Sequence, residues 1–182
     1  EGFSEEKNEL IKNKIKNLYE KNILFISKNY FKDLLNRNDI KYLFIQKNFP
    51  NKLIINFIPA KPIYIIENDD NKIILGDNGK ILKTKQNENN FPTVSGSDDI
   101  ENIYNVVNLI NLSNLDYKMI SEIKFFKSGR FDVYLSKGII IKFPIKFNQK
   151  IINYSSELLN RKEFTNSKVI DLRVKNKIIK YE

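Results

Sequence analysis

The stretch that decides the C-terminal fold reads Lys168-Val169-Ile170-Asp171-Leu172-Arg173-Val174. Ile170, Leu172 and Val174 alternate with charged residues, so they share one face of an extended segment. This alternation predicts a strand that is buried on one face and exposed to solvent on the other. A second apolar run at 177–181 predicts another strand directly after it.

Further strands and two helices are expected upstream of this stretch. Runs of β-forming residues predict strands at 63–67, 73–76, 80–83, 117–126, 130–135 and 138–143. Apolar residues at helical spacing predict helices at 97–112 and 147–161, while the polar segment 85–96 predicts a loop. We therefore expect antiparallel strands with two packed helices over residues 63–182.

The first 62 residues follow a different pattern. Helical spacing predicts helices at 4–21 and 28–36, and two β-rich runs at 40–47 and 52–58 follow. The turn-forming residues Asn48-Phe49-Pro50-Asn51 join these two runs. Pro59-Ala60-Lys61-Pro62 then interrupts the pattern, so the sequence predicts an α+β protein with domains at 1–62 and 63–182.

Composition excludes several classes of function. With 41% hydrophobic and 29% charged residues, the chain has enough apolar side chains for a packed core. Cys, His and Trp are absent, which excludes disulfides, zinc sites built on imidazole, and Ser–His or Cys–His catalysis. The net charge of +9 keeps a basic nucleic-acid-binding module as an alternative. That charge is dispersed, however, because residues 63–182 carry 19 basic against 15 acidic residues.

The polar clusters do not assemble into a recognisable active site. Asp69-Asp70 and Asp98-Asp99 are adjacent pairs, and neighbouring side chains point apart on both strands and helices. Gly76-Asp77-Asn78-Gly79 lacks the helix and the Lys-Ser/Thr pair of a phosphate loop, which favours a turn. We therefore predict a non-enzymatic protein with no cofactor, no metal site and no catalytic residue.

Three groups of short motifs occur in a characteristic order along the chain. They are 47–55 followed by Pro62, then 74–81 followed by 91–96, and finally 129–135 followed by Gly138 and 169–173. Their order and spacing resemble the extracytoplasmic part of the FtsQ/DivIB family of bacterial cell-division proteins. The strand Ile170-Asp171-Leu172-Arg173 is the most specific of these motifs.

The resemblance has consequences for fold, partners and location. It implies a small POTRA-like domain, with its first strand largely missing here, followed by a larger β domain. It implies a divisome scaffold that binds FtsB-like and FtsL-like partners, and other divisome components, rather than nucleic acid. It also implies a single-pass inner-membrane protein whose span lies outside this fragment, with this part on the periplasmic side at the division septum. A POTRA-containing protein of outer-membrane assembly or secretion is the other alternative.

The resemblance further implies that the C-terminal edge of the β domain is the docking surface. The last strand of a sheet offers unpaired backbone groups to which a peptide can add as a new strand. The candidate partner-binding residues are Arg130, Asp171, Arg173, Val174, Lys175, Asn176, Ile178, Lys180 and Tyr181. Lysines on an edge strand also guard against aggregation, and Asp171 with Arg173 can form a simple surface pair, so a solvated edge is the alternative.

Overall fold

The computed structural model describes residue 3 and residues 5–68, 71–83, 91–174 and 177–181. The chain divides into two compact units, which we call the N-terminal unit (1–61 with 76–83) and the C-terminal unit (62–75 with 84–182). Within the described ranges, no helix is both long enough and apolar enough to cross a membrane. The assignment of these units to a POTRA-like domain and a β domain stays a prediction.

The N-terminal unit packs short helical segments against a two-stranded hairpin. Its regular elements are α1 (Glu5–Ile15), α2 (Lys32–Leu35), β1 (Ile40–Asn48) and β2 (Lys52–Pro59), with 3-10 turns at Lys16–Leu18, Ile23–Phe25 and Lys28–Phe31. β1 and β2 pair antiparallel, with Leu43 opposite Phe57. The buried core of this unit consists of Ile11, Leu18, Ile26, Phe31, Leu34, Ile40 and Phe57.

The two helices expected in this unit are shorter than predicted. Regular α-helix covers 5–15 rather than 4–21, and 32–35 rather than 28–36. Asn side chains compete for backbone hydrogen bonds and therefore favour caps and turns over helix interiors. Asn22, which follows the first predicted helix, caps the next 3-10 turn in this way, since its side chain accepts a hydrogen bond from the backbone N–H of Leu24 at 3.0 Å.

Residues 76–83 belong to the N-terminal unit because polar contacts attach them to it. The Asp77 carboxylate accepts from Lys41 Nζ and from the backbone N–H of Lys61, each at 2.9 Å. The Asn78 amide donates to the carbonyl oxygens of Asn38 and Ile40 at 2.8 and 3.0 Å. The predicted turn at Asp77-Asn78-Gly79 thus carries a structural role beyond reversing the chain.

The remaining elements form a large mixed sheet with two helices. The strands are β3 (Pro62–Asn68), β4 (Asn71–Gly76), β5 (Ile81–Leu82), β6 (Thr93–Ser95), β7 (Ile120–Phe125), β8 (Phe131–Leu135), β9 (Ile140–Lys142), β10 (Val169–Asp171) and β11 (Ile179–Tyr181). The helices are α3 (Ile100–Asn111) and α4 (Gln149–Leu159). Within the C-terminal unit the strands run in the order β11-β10-β9-β8-β7-β6-β3-β4, so the architecture is α+β as expected, while β5 belongs to residues 76–83 of the N-terminal unit.

Two expectations for this sheet are wrong. The pairs β3–β6, β6–β7 and β9–β10 are parallel, although we expected antiparallel strands throughout. α3 lies between β6 and β7 and α4 between β9 and β10, and such helical crossovers are what join parallel strands. In addition, β6 lies inside the segment expected to be a loop, and its Val94 is fully buried.

The core of the C-terminal unit lies between the sheet and the two helices. Asp99 caps the start of α3 by accepting from the N–H of Asn102 at 3.0 Å, and Asn148 caps α4 in the same way. Odd-numbered residues of β8 and β9 face the helices. Phe131 of β8 stacks there on Phe143, the residue after β9, with ring centroids 4.9 Å apart. Even-numbered residues of these strands therefore face the opposite side of the sheet.

Candidate partner-binding edge

The strand β11 forms one edge of the sheet. It pairs antiparallel with β10, with Val169 opposite Tyr181, Ile170 opposite Lys180 and Asp171 opposite Ile179. Among the strands that the structure describes, β11 has a neighbour on one side only. Such an edge can accept an additional strand through backbone hydrogen bonds.

Asp171 and Arg173 form an ion pair beside this edge. Arg173 Nε lies 2.9 and 3.0 Å from the two carboxylate oxygens of Asp171, and the backbone N–H of Arg173 donates to the same carboxylate at 3.0 Å. The Asp171 side chain is only 4% exposed, whereas that of Arg173 is 34% exposed. Hydrogen bonds from Arg173 lower the pKa of Asp171 below its usual value, since they favour the charged carboxylate. A partner would therefore meet the guanidinium rather than the carboxylate.

The charged groups continue across the face of the sheet away from the helices. Asp132 on β8 lies opposite Lys142 on β9, and Lys142 lies opposite Asp171 on β10. Asp132 is buried, and its Oδ1 has no hydrogen-bond partner among the described residues. Burial raises the pKa of Asp132, while Lys142, Arg130 and Arg173 act in the opposite direction. Sequence analysis missed Asp132 and Lys142, because alternation along a strand does not show whether its polar face is covered.

A groove of about 800 Å³ adjoins the edge within the C-terminal unit. Apolar side chains from α4 and from the segment after β10 lie in it together with three basic residues. The lining residues are Pro144, Lys146, Ile151, Tyr154, Leu172, Arg173, Val174, Lys177 and Ile178. Sequence analysis missed most of them, since they come from three separate segments that only the crossover through α4 brings together.

The structure distributes the candidate residues over several places. Arg173, Val174 and Ile178 line the groove, and Val174 is 44% exposed. Lys180 and Tyr181 lie on β11, where Lys180 Nζ donates to the backbone oxygen of Glu163 at 3.2 Å.

Of the remaining candidates, one lies away from this edge and two are not among the described residues. Arg130 precedes β8, two strands away from β10, and its guanidinium lies over the ring of Phe126 at 4.6 Å. Lys175 and Asn176 lie outside the described residues. The role of every candidate in partner binding stays a prediction.

Of the two carboxylate pairs considered in the sequence, the structure describes Asp98-Asp99. Asp99 is the cap of α3, whereas Asp69 and Asp70 lie outside the described residues. In the part of the chain that the structure describes, no three potential ligands among His, Cys, Asp and Glu are placed to hold a metal ion.

Comparison with known proteins identifies the family of the chain. The family model of the cell division protein FtsQ/DivIB, C-terminal, matches residues 64–173, which is more than half of the chain. A similar solved structure is the major extracytoplasmic domain of the trans isomer of the cell division protein DivIB from Geobacillus stearothermophilus. It is 22% identical with a TM-score of 0.42, and the match covers 57% of this chain and 98% of that chain. No curated protein matches. From the extent of the family match, we conclude that the chain belongs to the FtsQ/DivIB family of cell division proteins.

Proposed function

We propose that this chain is a non-enzymatic scaffold of the division machinery that binds FtsB-like and FtsL-like proteins by strand addition to β11. In this proposal a single-pass inner-membrane protein presents the chain on the periplasmic side at the septum. Family membership supports the broader statement that the chain is part of a membrane-anchored cell division protein. It also favours this function over outer-membrane assembly, secretion or nucleic-acid binding.

One observation carries the proposal: the open edge of β11 lies beside a groove with an apolar lining and basic residues. An added strand would gain affinity from backbone hydrogen bonds with β11. Apolar side chains of the partner, before or after its added strand, would pack against Ile151, Leu172 and Ile178. Lys146, Arg173 and Lys177 favour an acidic segment, and Asp171 holds Arg173 in position through its hydrogen bonds.

The test measures binding of this chain to the periplasmic part of the FtsB-like protein from the same organism. One variant lacks residues 177–182, which removes β11 and leaves β10 as the edge. A second variant, Lys146→Glu with Lys177→Glu, reverses two charges of the groove, and we expect it to bind at least about fivefold more weakly at low salt. The matched control, Lys118→Glu with Lys137→Glu, reverses two exposed lysines outside the groove.

We expect the deletion to abolish binding while the circular dichroism spectrum still shows a folded sheet. The groove variant should bind more weakly than the control variant, which carries the same net charge. Undiminished binding after the deletion would show that β11 is not the docking strand. Equal losses in the two charge variants would indicate that the net charge, and not the groove, attracts the partner.

A further inference from the structure

The N-terminal unit exposes an unusual concentration of large apolar side chains. Tyr19, Leu24, Phe25 and Phe49 are 79%, 63%, 76% and 62% exposed, the highest values among the described large apolar residues. We call these four residues the apolar tip. Single exposed apolar residues are common, but contiguous exposed apolar groups mark sites of interaction.

Contacts within the unit hold the segments of the apolar tip together. Lys47 Nζ, at the end of β1, donates to the backbone oxygen of Leu24 at 3.4 Å. A groove of about 670 Å³ is lined both by Tyr19 and by Pro50, the neighbour of Phe49. The turn that carries Leu24 and Phe25 is therefore adjacent to the turn of the β1–β2 hairpin.

The fold of the unit does not require Leu24 and Phe25 to be apolar. Ile23 and Ile26, which flank them, are 7% and 5% exposed and supply the buried contacts of this turn. The Asn22 side chain fixes the turn by accepting from the N–H of Leu24 at 3.0 Å. Two large apolar side chains are consequently held in solvent by a turn whose stability comes from other residues.

The segments around the apolar tip are strongly basic. Residues 16–31 and 47–52 contain five lysines and one carboxylate, namely Lys16, Lys21, Lys28, Lys47, Lys52 and Glu20. Lys21 Nζ lies 5.3 Å from the ring centre of Tyr30. Aromatic residues surrounded by lysines suit the interface of a bilayer, where the rings enter the headgroup region and the ammonium groups reach the phosphates.

We propose that the apolar tip docks the N-terminal unit on the surface of an anionic lipid bilayer. Lipid suits this feature better than a protein partner does, because stable protein interfaces use about 20–30 residues on each side. Four apolar side chains and five lysines are, in contrast, sufficient for reversible interfacial binding. The membrane anchor of the family keeps a bilayer within reach of the chain. This surface is independent of β11 and of its partners.

The test is co-sedimentation of the chain with vesicles. Vesicles of equal parts phosphatidylglycerol and phosphatidylcholine are compared with vesicles of phosphatidylcholine alone. The tip variant is Leu24→Ser with Phe25→Ser, and the matched control is Leu112→Ser with Ile145→Ser, which are 61% and 59% exposed in the C-terminal unit. A third variant, Lys21→Gln with Lys52→Gln, removes two charges and keeps the apolar side chains.

We expect the unaltered chain and the control variant to sediment with anionic vesicles. The tip variant should bind these vesicles at least about tenfold more weakly. Each lysine removed should weaken binding about fivefold, and added salt should weaken it further. Equal binding by the tip and control variants, or no binding to anionic vesicles, would overturn the proposal. If the tip variant instead turns a lipid-free dimer into a monomer, the tip contacts a second copy of the chain and the lipid assignment is wrong.

Discussion

Removing the Arg173 side chain should destabilise the C-terminal unit, because it leaves the Asp171 carboxylate buried and without its ion-pair partner. The Asp171 carboxylate is 4% exposed. In Arg173→Ala it loses the hydrogen bonds from the guanidinium and keeps the one from the backbone N–H of residue 173. Breaking a fully buried ion pair costs about 3–5 kcal/mol, and a hydrogen bond to a charged group contributes about 1.5–3 kcal/mol. The Arg173 side chain is 34% exposed, so water can partly replace its hydrogen bonds to Asp171. We therefore expect Arg173→Ala to lower the free energy of unfolding by about 2 kcal/mol.

The assay is urea unfolding followed by circular dichroism. The double variant Asp171→Asn with Arg173→Ala is the control, and it should be more stable than Arg173→Ala because the buried charge at position 171 is removed as well. A stability of Arg173→Ala within about 0.5 kcal/mol of the unaltered chain would refute the argument, because so small a loss of unfolding free energy is typical of an exposed pair.

The same variant predicts a pH dependence of stability. The pKa of Asp171 is lowered in the folded state, so the ion pair stabilises the fold above the pKa of an unfolded carboxyl, which is about 3.9. This stabilisation is lost as the pH falls through the folded-state pKa. The unfolding free energies of Arg173→Ala and the unaltered chain should therefore converge in acid, and a constant difference would show that the lost interaction is not ionic.

Two further substitutions test the environment of the sheet. Burial raises the pKa of Asp132, so Asp132→Asn should raise the urea midpoint at neutral pH. This gain should decrease once the pH falls below the folded-state pKa of the carboxyl and vanish below its unfolded-state pKa. A lower midpoint would mean that the basic neighbours of Asp132 outweigh its burial. At Gly96, where φ is +81°, an added Cβ would lie 2.2 Å from the backbone oxygen of Phe125, so Gly96→Ala should cost at least about 3 kcal/mol in thermal or urea unfolding. Gly138→Ala is the control, since its φ is +84° with no atom within 4 Å of the added Cβ, and it should cost about 1 kcal/mol; equal losses would show that backbone conformation alone determines the effect.

The elements with the clearest period were predicted well from the sequence. The β1–β2 hairpin, α3 and α4 lie within three residues of their expected bounds. In each case one apolar face packs against one core, so the residue pattern contains the necessary information. The strand β6 was missed because it has three residues and follows turn-forming ones, and a pattern of this length has no measurable period.

The candidate site was predictable only in part, because its residues depend on contacts between distant segments. The ion pair between Asp171 and Arg173 could be predicted from the sequence, because residues two apart along a strand lie on the same face. The groove was not, since Pro144, Ile151 and Leu172 meet only after α4 has crossed from β9 to β10. Burial of Asp132 likewise depends on the groups that cover its face of the sheet, and no local pattern records these.

The position of β11 in the chain also sets the order of events during synthesis. β11 follows every other strand of the sheet, and the strand it pairs with, β10, is made only after α4. A growing chain therefore cannot present this edge before the rest of the sheet has emerged. If β11 is the docking strand, a chain that is truncated or still being translated before β11 lacks the docking edge. Only molecules whose translation has passed β11 can then bind the partner.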